Sequence, residues 1–335
     1  MTKRTWAKIG FAALAVLLIV FAADIVLIVF ASILLAILLR SLAQPLAARL
    51  RISPQWALAI VVALLAFSFG LIGWWIAPAI GEQVRELRAT LPAALQRLQQ
   101  ELSRFVWLEV FLDAAPRPDE LAAHPEAAGK VTGVLSGTLA AIGHTFVAIV
   151  IGLYLAADPR PYIEGTVGLF PPAHRKRARE ILLAIGHTLR WWLFGKAISM
   201  VAVGIAVFIG LAVIGVPMAG ALALIAALLD FIPNIGPVLA LLPAALFALL
   251  QGPTQVFYVV LLYGVVQTVE SYLLTPMIER RTVELPPALT LVALLVAALL
   301  FGWLGLLLAA PATAALMVLV QMVYVEDALG ERDAR

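Results

Sequence analysis

Apolar runs long enough to cross a membrane recur along the chain. The hydrocarbon core of a bilayer is about 30 Å thick, which an α-helix crosses in about 20 residues. The first run, residues 9–39, is too long for one upright helix and is interrupted by Asp24. We therefore predict two short spans that meet at Asp24. Further full spans are predicted at residues 56–78, 134–157, 191–214 and 256–275.

The two extended polar stretches, residues 79–133 and 158–190, differ in their charge. Basic segments are retained in the cytoplasm during membrane insertion. The second stretch is rich in basic residues, as are the N-terminus and the loop predicted at residues 40–51, so we expect these segments and both termini to be cytoplasmic. The first stretch has more acidic than basic residues and is predicted to be extracytoplasmic. Apolar residues at steps of three and four in residues 82–111 indicate an amphipathic helix.

A later apolar run is broken by the sequence Asp-Phe-Ile-Pro-Asn-Ile-Gly-Pro at residues 230–237. Two prolines and a glycine so close together disfavour an α-helix. The flanking arms, residues 218–229 and 238–250, are each too short to cross a membrane alone. We therefore predict a re-entrant helical hairpin. Its tip should face a cavity, since exposed backbone at membrane depth is tolerated only beside protein or water.

The last apolar region follows the same plan. With a shift of 70 residues, Pro217 falls on Pro287 and Phe231 falls on Phe301. The Phe-Gly-Trp-Leu-Gly sequence at residues 301–305 then takes the place of the first break, and a second hairpin is predicted. Two span-plus-hairpin repeats of inverted topology are a recurring plan of secondary transporters, which bind substrate near the membrane midplane.

The predicted fold is an all-α polytopic membrane protein with about six full spans, two re-entrant helical hairpins and an amphipathic extracytoplasmic helix. Eight full spans are the alternative. In chain order, the predicted parts are N-terminal spans at 1–78, the extracytoplasmic helical region at 79–133, a fourth span with a basic cytoplasmic segment at 134–190, a core of two span-plus-hairpin repeats at 191–325 and a polar tail at 326–335.

Four ionisable residues lie inside the apolar runs, namely Asp24, Lys196, Asp230 and Glu270. A charged side chain at the centre of a span costs about 2.5–3.5 kcal/mol, so each needs a partner, an aqueous cavity or an interfacial position. We interpret Asp24 as a solvated carboxylate at the turn between the first two spans. If their spans are adjacent and antiparallel, Lys196 and Glu270 can form an ion pair, either as a static lock or as a proton-coupled switch.

The first hairpin tip is the predicted translocation site. Asp230, Asn234 and main-chain carbonyls freed by the prolines are oxygen ligands that suit Na⁺, and a buried carboxylate also suits a proton. The alternative is structural, with Asp230 accepting hydrogen bonds from unpaired N–H groups at the break. The candidate substrate or ion residues are Lys196, Asp230, Pro233, Asn234, Gly236, Pro237, Gln267 and Glu270. The second tip has almost no polar side chains, and its candidate gate residues are Phe301, Gly302 and Gly305.

Composition narrows the class of protein. The chain is 63% hydrophobic and 13% charged, whereas soluble domains carry about 25% charged residues, so a soluble globular protein is excluded. It has no cysteine, which excludes disulfides and thiolate metal sites. His144 and His187 have no partner at metal-ligand spacing, and hydrolase and phosphate-loop motifs are absent, so we expect no metal, no cofactor and no enzymatic activity. A basic face is also absent, and nucleic acid is not an expected partner.

Several motifs occur in a characteristic order: residues 230–237, Pro243-Ala-Ala, Gln267-Thr-Val-Glu270 with Leu274-Thr-Pro276, and residues 302–311. They resemble the autoinducer-2 exporter family of bacterial permeases. The resemblance implies a transporter of the bacterial inner membrane that moves a small signal molecule or metabolite. It also implies a homo-oligomer, such as a pentamer, and some relatives are proposed to exchange cations. Glutamine is common in that family where this chain has Lys196.

We therefore expect a secondary transporter that exports a small polar solute by alternating access, coupled to H⁺ or Na⁺. Its expected partners are the lipid bilayer, the solute, the coupling ion and further copies of the chain. Three alternatives stay open: a passive channel, a cation/proton antiporter, and an oligomeric scaffold whose amphipathic outer helix recruits partners in the cell envelope.

Overall fold

The computed structural model describes residues 23–71, 73–74, 143–274 and 287–330. All regular secondary structure within these residues is helical. The α-helices are α1 Ala23–Leu50, α2 Pro54–Leu71, α3 Gly143–Ala157, α4 Arg160–Gly168, α5 Arg175–Ile214, α6 Ala219–Leu229, α7 Ile235–Gln251, α8 Pro253–Val269 and α9 Pro287–Val320. A 3₁₀ turn at Pro172–His174 precedes α5, and π-helical segments at Glu270–Leu274 and Gln321–Ala328 follow α8 and α9.

Five of the described helices are long and apolar enough to cross a membrane, namely α1, α2, α5, α8 and α9. Helices α3 and α4 meet at an angle of 91°, and they give a sixth if the pair counts as one span. The chain is thus a multi-pass helical membrane protein. The first short span and the amphipathic helix at 82–111 lie outside the described residues, as does most of the predicted extracytoplasmic region.

The described residues fall into two compact units. The first unit contains residues 23–63, 143–195 and 287–330. Within it, α9 packs against α1. The second unit contains residues 64–71, 73–74 and 196–274. Helices α6, α7 and α8 pack in sequence within it, and the buried residues Val207, Leu211, Leu222, Ala244 and Val259 form the centre of its apolar core.

One predicted loop is helical, which corrects the sequence analysis, and so is part of the second polar stretch. Residues 40–50 continue α1, and Arg40 donates a hydrogen bond of 2.9 Å to the carbonyl of Ala156 at the end of α3. Residues 175–190 begin α5, whose 40 residues span about 60 Å. Arginine, lysine, alanine and glutamate are all good helix formers. The basic residues indicate the side of the membrane on which a segment lies, but they do not end the helix.

The chain reverses direction between α6 and α7. The two helices pack against each other, and residues 230–234 connect them. At the far end, Gln251 Nε2 donates a hydrogen bond of 2.7 Å to the carbonyl of Gly215, just after α5. The end of α7 therefore lies beside the start of α6. Gly236 and Pro237 belong to the first turn of α7 and not to the break, because a first-turn proline has no helical N–H to lose.

Helix α9 contains a second reversal. Gly302 has φ 60° and ψ −141°, a backbone conformation that residues other than glycine rarely adopt. A Cβ atom added at Gly305 would overlap the carbonyl oxygen of Ala297, although eight residues of a straight helix would hold the two about 12 Å apart. The backbone after Gly302 thus returns along the segment that precedes it.

Candidate functional site

Three elements of the second unit bring ionisable side chains together. Lys196 and Ser199 lie on α5, Asp230 follows the last residue of α6, and Glu270 follows the last residue of α8. The stretch of α5 from Ser199 to Ile214 is about 22 Å long at the helical rise. This cluster of four side chains therefore lies far from the C-terminal end of α5, beside the apolar part of that helix.

Two donors bridge the same pair of carboxylate oxygens. Lys196 Nζ lies 2.9 Å from Asp230 Oδ2 and 3.2 Å from Glu270 Oε1. Ser199 Oγ lies 2.8 Å from Glu270 Oε1 and 3.2 Å from Asp230 Oδ2. A hydroxyl has a single proton to donate, so Ser199 can satisfy only one of the two carboxylates at a time. Lys196 has three protons and can satisfy both.

The second oxygen of Asp230 is not satisfied within the described part of the chain. Asp230 is 1% exposed, and its Oδ1 is buried without a hydrogen-bond partner there. Glu270, also buried, has a partner for each oxygen, since Gln267 Nε2 donates to its Oε2 at 3.1 Å. The uncompensated polar atom of this cluster is therefore on Asp230. An unpaired buried polar group is unfavourable and needs an explanation.

The position of Glu270 depends on a local change of helix type. Helix α8 ends at Val269, and Glu270 begins the π-helical segment Glu270–Leu274. Single π-helical turns inside or after α-helices are frequent at functional sites, because the wider turn changes the direction of side chains. Here the change coincides with the one carboxylate of the α8 span.

The predicted Lys196–Glu270 ion pair is present. The sequence analysis treated Asp230 separately, whereas the structure adds it to the same pair. Ser199 was missed. Its position in the sequence could have indicated it, because it lies three residues after Lys196 and both side chains therefore share one helix face. A buried serine near an intramembrane lysine was therefore detectable, but only once the face of α5 that contacts the hairpin was known.

The other predicted tip residues do not surround Asp230 in the expected way. Asn234 is exposed and has a positive φ of 64°. The N–H groups of Ile232 and Gly236 donate to backbone carbonyls at 2.9 and 3.0 Å, and the carbonyl of Pro233 accepts from Ile235. The proposed structural role, with Asp230 accepting from free N–H groups at the break, is thus not the arrangement found. Its partners are Lys196 and Ser199.

Gly236 is in contact with its own hairpin. A Cβ atom there would overlap the carbonyl oxygen of Leu229, so the absence of a side chain permits the close approach of the two arms. At the second reversal, Gly302 and Gly305 form the turn and its close backbone contact, and Phe301 precedes them. These positions explain the local fold, while their action as a gate remains a prediction.

The remaining sequence candidates lie apart from this cluster. Asp24 is exposed in the first turn of α1. His187 Nε2 accepts a hydrogen bond of 3.0 Å from Trp191 Nε1. Within the described ranges, no group of three or more His, Cys, Asp or Glu residues is arranged to hold a metal ion.

Comparison with known proteins identifies the family. The sequence model described as AI-2E family transporter matches residues 9–324. The chain belongs to the AI-2E transporter family. The resemblance inferred from the motifs is thereby confirmed, and a role in membrane transport and a multi-pass arrangement in the inner membrane follow from it.

Three relatives extend over most of the chain. YrrI of Bacillus subtilis is 28% identical over 78% of this chain and 77% of its own length. YueF of the same organism is 27% identical over 75% and 70%, respectively. The names of both proteins give transport and no cargo. The AI-2 transport protein TqsA of Escherichia coli is 25% identical over 93% of this chain and 88% of its own length.

Proposed function

We propose that this AI-2E family member is a secondary transporter that exports a small polar solute, such as a quorum-sensing signal or a metabolite, by alternating access coupled to H⁺ or Na⁺. The observation that carries this proposal is the buried cluster of Lys196, Asp230 and Glu270 beside the break between α6 and α7. Ionisable groups inside a membrane are rare and mark ion or substrate pathways. The family and the name of TqsA support the solute class.

The broken helices support a transport site at this depth. Secondary transporters commonly bind ions and substrates where short helices end near the membrane midplane. The α6–α7 hairpin is re-entrant in this proposal. The chain reverses at Asp230 between arms of 11 and 17 residues, and the second arm ends near the C-terminal end of α5. The reversal at Gly302 in the first unit serves as a gate, since its turn residues carry almost no polar side chains.

The cluster also provides a way to couple ion binding to movement. Lys196 holds α5 to both the hairpin, through Asp230, and the end of α8, through Glu270. When one carboxylate takes up a positive charge, its attraction to Lys196 weakens and the other pairing dominates. Binding and release of the ion would therefore shift the stronger ion pair of Lys196 between the hairpin and the end of α8.

Two transport assays in proteoliposomes test the proposal. Vesicles loaded with isotope-labelled autoinducer-2 should release it faster when an H⁺ or Na⁺ gradient is imposed. In separate vesicles loaded with unlabelled autoinducer-2, the internal pool should accelerate uptake of labelled autoinducer-2 from outside. Such counterflow distinguishes a carrier from a passive channel. Asp230→Asn should reduce coupled efflux at least tenfold, because the amide cannot take up a proton or attract Lys196 as a charge.

The matched control is Asp24→Asn, which removes an exposed carboxylate outside the cluster. It should leave efflux and counterflow unchanged. Normal coupled transport by Asp230→Asn, together with a lower unfolding temperature, would assign Asp230 a structural role instead. Efflux without counterflow in the unsubstituted protein would support a channel.

Self-association belongs to the same proposal. The N-terminal spans and the amphipathic helix predicted at residues 82–111 exceed what two span-plus-hairpin repeats require, and their apolar surfaces suit contacts between copies. We expect a closed homo-oligomer in mild detergent, to be detected by mass measurement on the active, purified protein. A strictly monomeric particle with full transport activity contradicts this expectation.

A further inference from the structure

The charges of the buried cluster do not balance. One ammonium group, on Lys196, faces two carboxylates, on Asp230 and Glu270. When all three are ionised, the cluster has one excess negative charge. Helices α6 and α7 contain no ionisable residue, and neither does α5 after Ser199. On α8, the hydroxyl of Tyr263 donates to the carbonyl of Ala240, and Gln267, which donates to Glu270, is neutral.

The excess charge has a defined location. Asp230 Oδ2 is 2.9 Å from Lys196 Nζ and 3.2 Å from Ser199 Oγ, but Oδ1 of the same carboxylate is buried without a partner among the described residues. Both oxygens of Glu270 have donors. An unpaired carboxylate oxygen in an apolar interior is stabilised by gaining a positive charge, either as a proton or as a cation.

We propose that the ammonium of Lys196 is a tethered cation that occupies a two-carboxylate cation site, so that the site exchanges a proton and excludes Na⁺. The ammonium bridges Asp230 Oδ2 and Glu270 Oε1, the two oxygens that a bound Na⁺ would share. A metal cation would have to displace it or bind against its charge. A proton binds one oxygen directly and leaves the ammonium in place.

The proton step is simple to balance. A hydronium ion transfers H⁺ to Asp230 Oδ1: one O–H bond of hydronium breaks and leaves water, and one O–H bond to Oδ1 forms. The carboxylate becomes a neutral carboxyl group, and the cluster changes from one excess negative charge to none. Release is the reverse step, with the proton returned to water on the side to which the cluster is then open. The coupling role rests on the proposed transport function, whereas the ion preference of the site does not.

Removal of the ammonium should change the ion that the site accepts. Two carboxylates and the hydroxyl of Ser199 then converge, and oxygen ligands of this kind bind hard cations. In Lys196→Gln the amide adds a further oxygen, so we expect this variant to bind Na⁺. Lys196→Arg keeps a permanent cation and should continue to exclude Na⁺. Lys176→Gln, at an exposed position near the start of α5, is the control for loss of a lysine charge.

Thermal unfolding of the purified full chain measures Na⁺ binding without any transport, because a ligand that binds the folded state raises its unfolding temperature. NaCl is compared with choline chloride at equal ionic strength. We expect no difference for the unsubstituted protein, Lys196→Arg or Lys176→Gln, and a saturable rise of a few degrees for Lys196→Gln. A saturable Na⁺ effect in the unsubstituted protein overturns the proposal, as does a folded Lys196→Gln protein without one.

Infrared spectroscopy tests the proton without relying on the folding of Lys196→Gln. Lowering the pH of the unsubstituted protein should produce the carbonyl stretch of one buried protonated carboxyl group, which shifts in D₂O. The band should be absent in Asp230→Asn and retained in the exposed-site control Asp24→Asn. Absence of a band dependent on Asp230 across the pH range in which the protein is folded overturns the proposal.

Transport measurements separate this inference from the proposed function. If the thermal and infrared results hold but autoinducer-2 does not move, the proton site stands and the solute assignment fails. If autoinducer-2 efflux from the unsubstituted protein is driven by a Na⁺ gradient at equal pH, the proton site fails while transport stands. The combined expectation is efflux driven by a pH gradient, and efflux that responds to Na⁺ only after Lys196→Gln.

Discussion

At the scale of single residues, Ser199 determines how the two buried carboxylates share their donors. Its Oγ lies 2.8 Å from Glu270 Oε1 and 3.2 Å from Asp230 Oδ2. The shorter distance indicates that its proton serves Glu270 when both carboxylates are ionised. Asp230 is then held by Lys196 alone. A serine at this position therefore makes the two carboxylates unequal, and it favours Asp230 as the group that takes up charge.

Ser199→Ala is predicted to destabilise the folded protein by about 1–3 kcal/mol, because it removes a donor from a buried charged acceptor and leaves that acceptor less satisfied. Reversible unfolding in mixed detergent micelles measures the loss. Ser32→Ala is the matched control, since Ser32 is equally buried but donates only to the carbonyl of Ile28 in its own helix, at 2.7 Å. Equal losses for both variants would show that Ser199 has no special role in the cluster.

At the scale of elements, both chain reversals depend on a glycine that touches backbone. In the first, Gly236 in the opening turn of α7 lies against the carbonyl of Leu229 at the end of α6. In the second, Gly305 lies against the carbonyl of Ala297. The two arms of each hairpin can approach this closely only without a Cβ atom. The same contact between a glycine and a backbone carbonyl at both tips supports the internal repeat inferred from the 70-residue shift.

Gly236→Ala and Gly305→Ala are each predicted to destabilise the protein by roughly 1–3 kcal/mol or more, because the added methyl group meets backbone that cannot rotate away. Gly264→Ala is the control. It lies within α8, and an added Cβ would meet no atom within 4 Å. Unfolding temperature and expression level are the measurements. If all three variants are equally stable, the close approach does not determine the hairpin geometry.

The sequence predicted the elements better than their ends. The two prolines and the glycine within residues 230–237 revealed the break, although Pro237 itself belongs to α7. Single prolines at positions 45, 243 and 311 lie inside helices. Basic residues were taken as a loop signal at residues 40–50, where helix propensity prevailed. Residues 175–190 of the second polar stretch are helical as well. The Lys196–Glu270 pair was predictable because both charged residues lie inside apolar spans and each needs a partner there. The contact of Asp230 with that pair depends on how the hairpin packs against α5 and α8. That packing cannot be inferred from the spacing of residues along the sequence.

At the scale of the whole molecule, one arginine in the first unit links distant parts of the chain. Arg177 near the start of α5 bonds Glu326 at 2.9 Å and Asp327 at 3.0 Å, and it donates to the carbonyl of Met322 at 2.9 Å. The end of the described chain and the start of α5 therefore lie on the same side of the membrane. Because the positive-inside rule assigns the arginines of α5 to the cytoplasm, we predict that side for residues 322–327 too.

Cysteine labelling tests the membrane topology directly, because the chain has no cysteine of its own. Thr254→Cys lies in the first turn of α8, just after Gln251, which bonds the carbonyl of Gly215 at the end of α5. A re-entrant α6–α7 hairpin keeps position 254 on the outer side, where α5 ends, and an impermeant thiol reagent added to intact cells should label it. Lys176→Cys, at the start of α5, should react only after the cells are opened. Protection of position 254 in intact cells would mean that residues 217–250 cross the membrane once, as the arrangement with eight full spans requires, and the transport site would then need to be sought away from the break at Asp230.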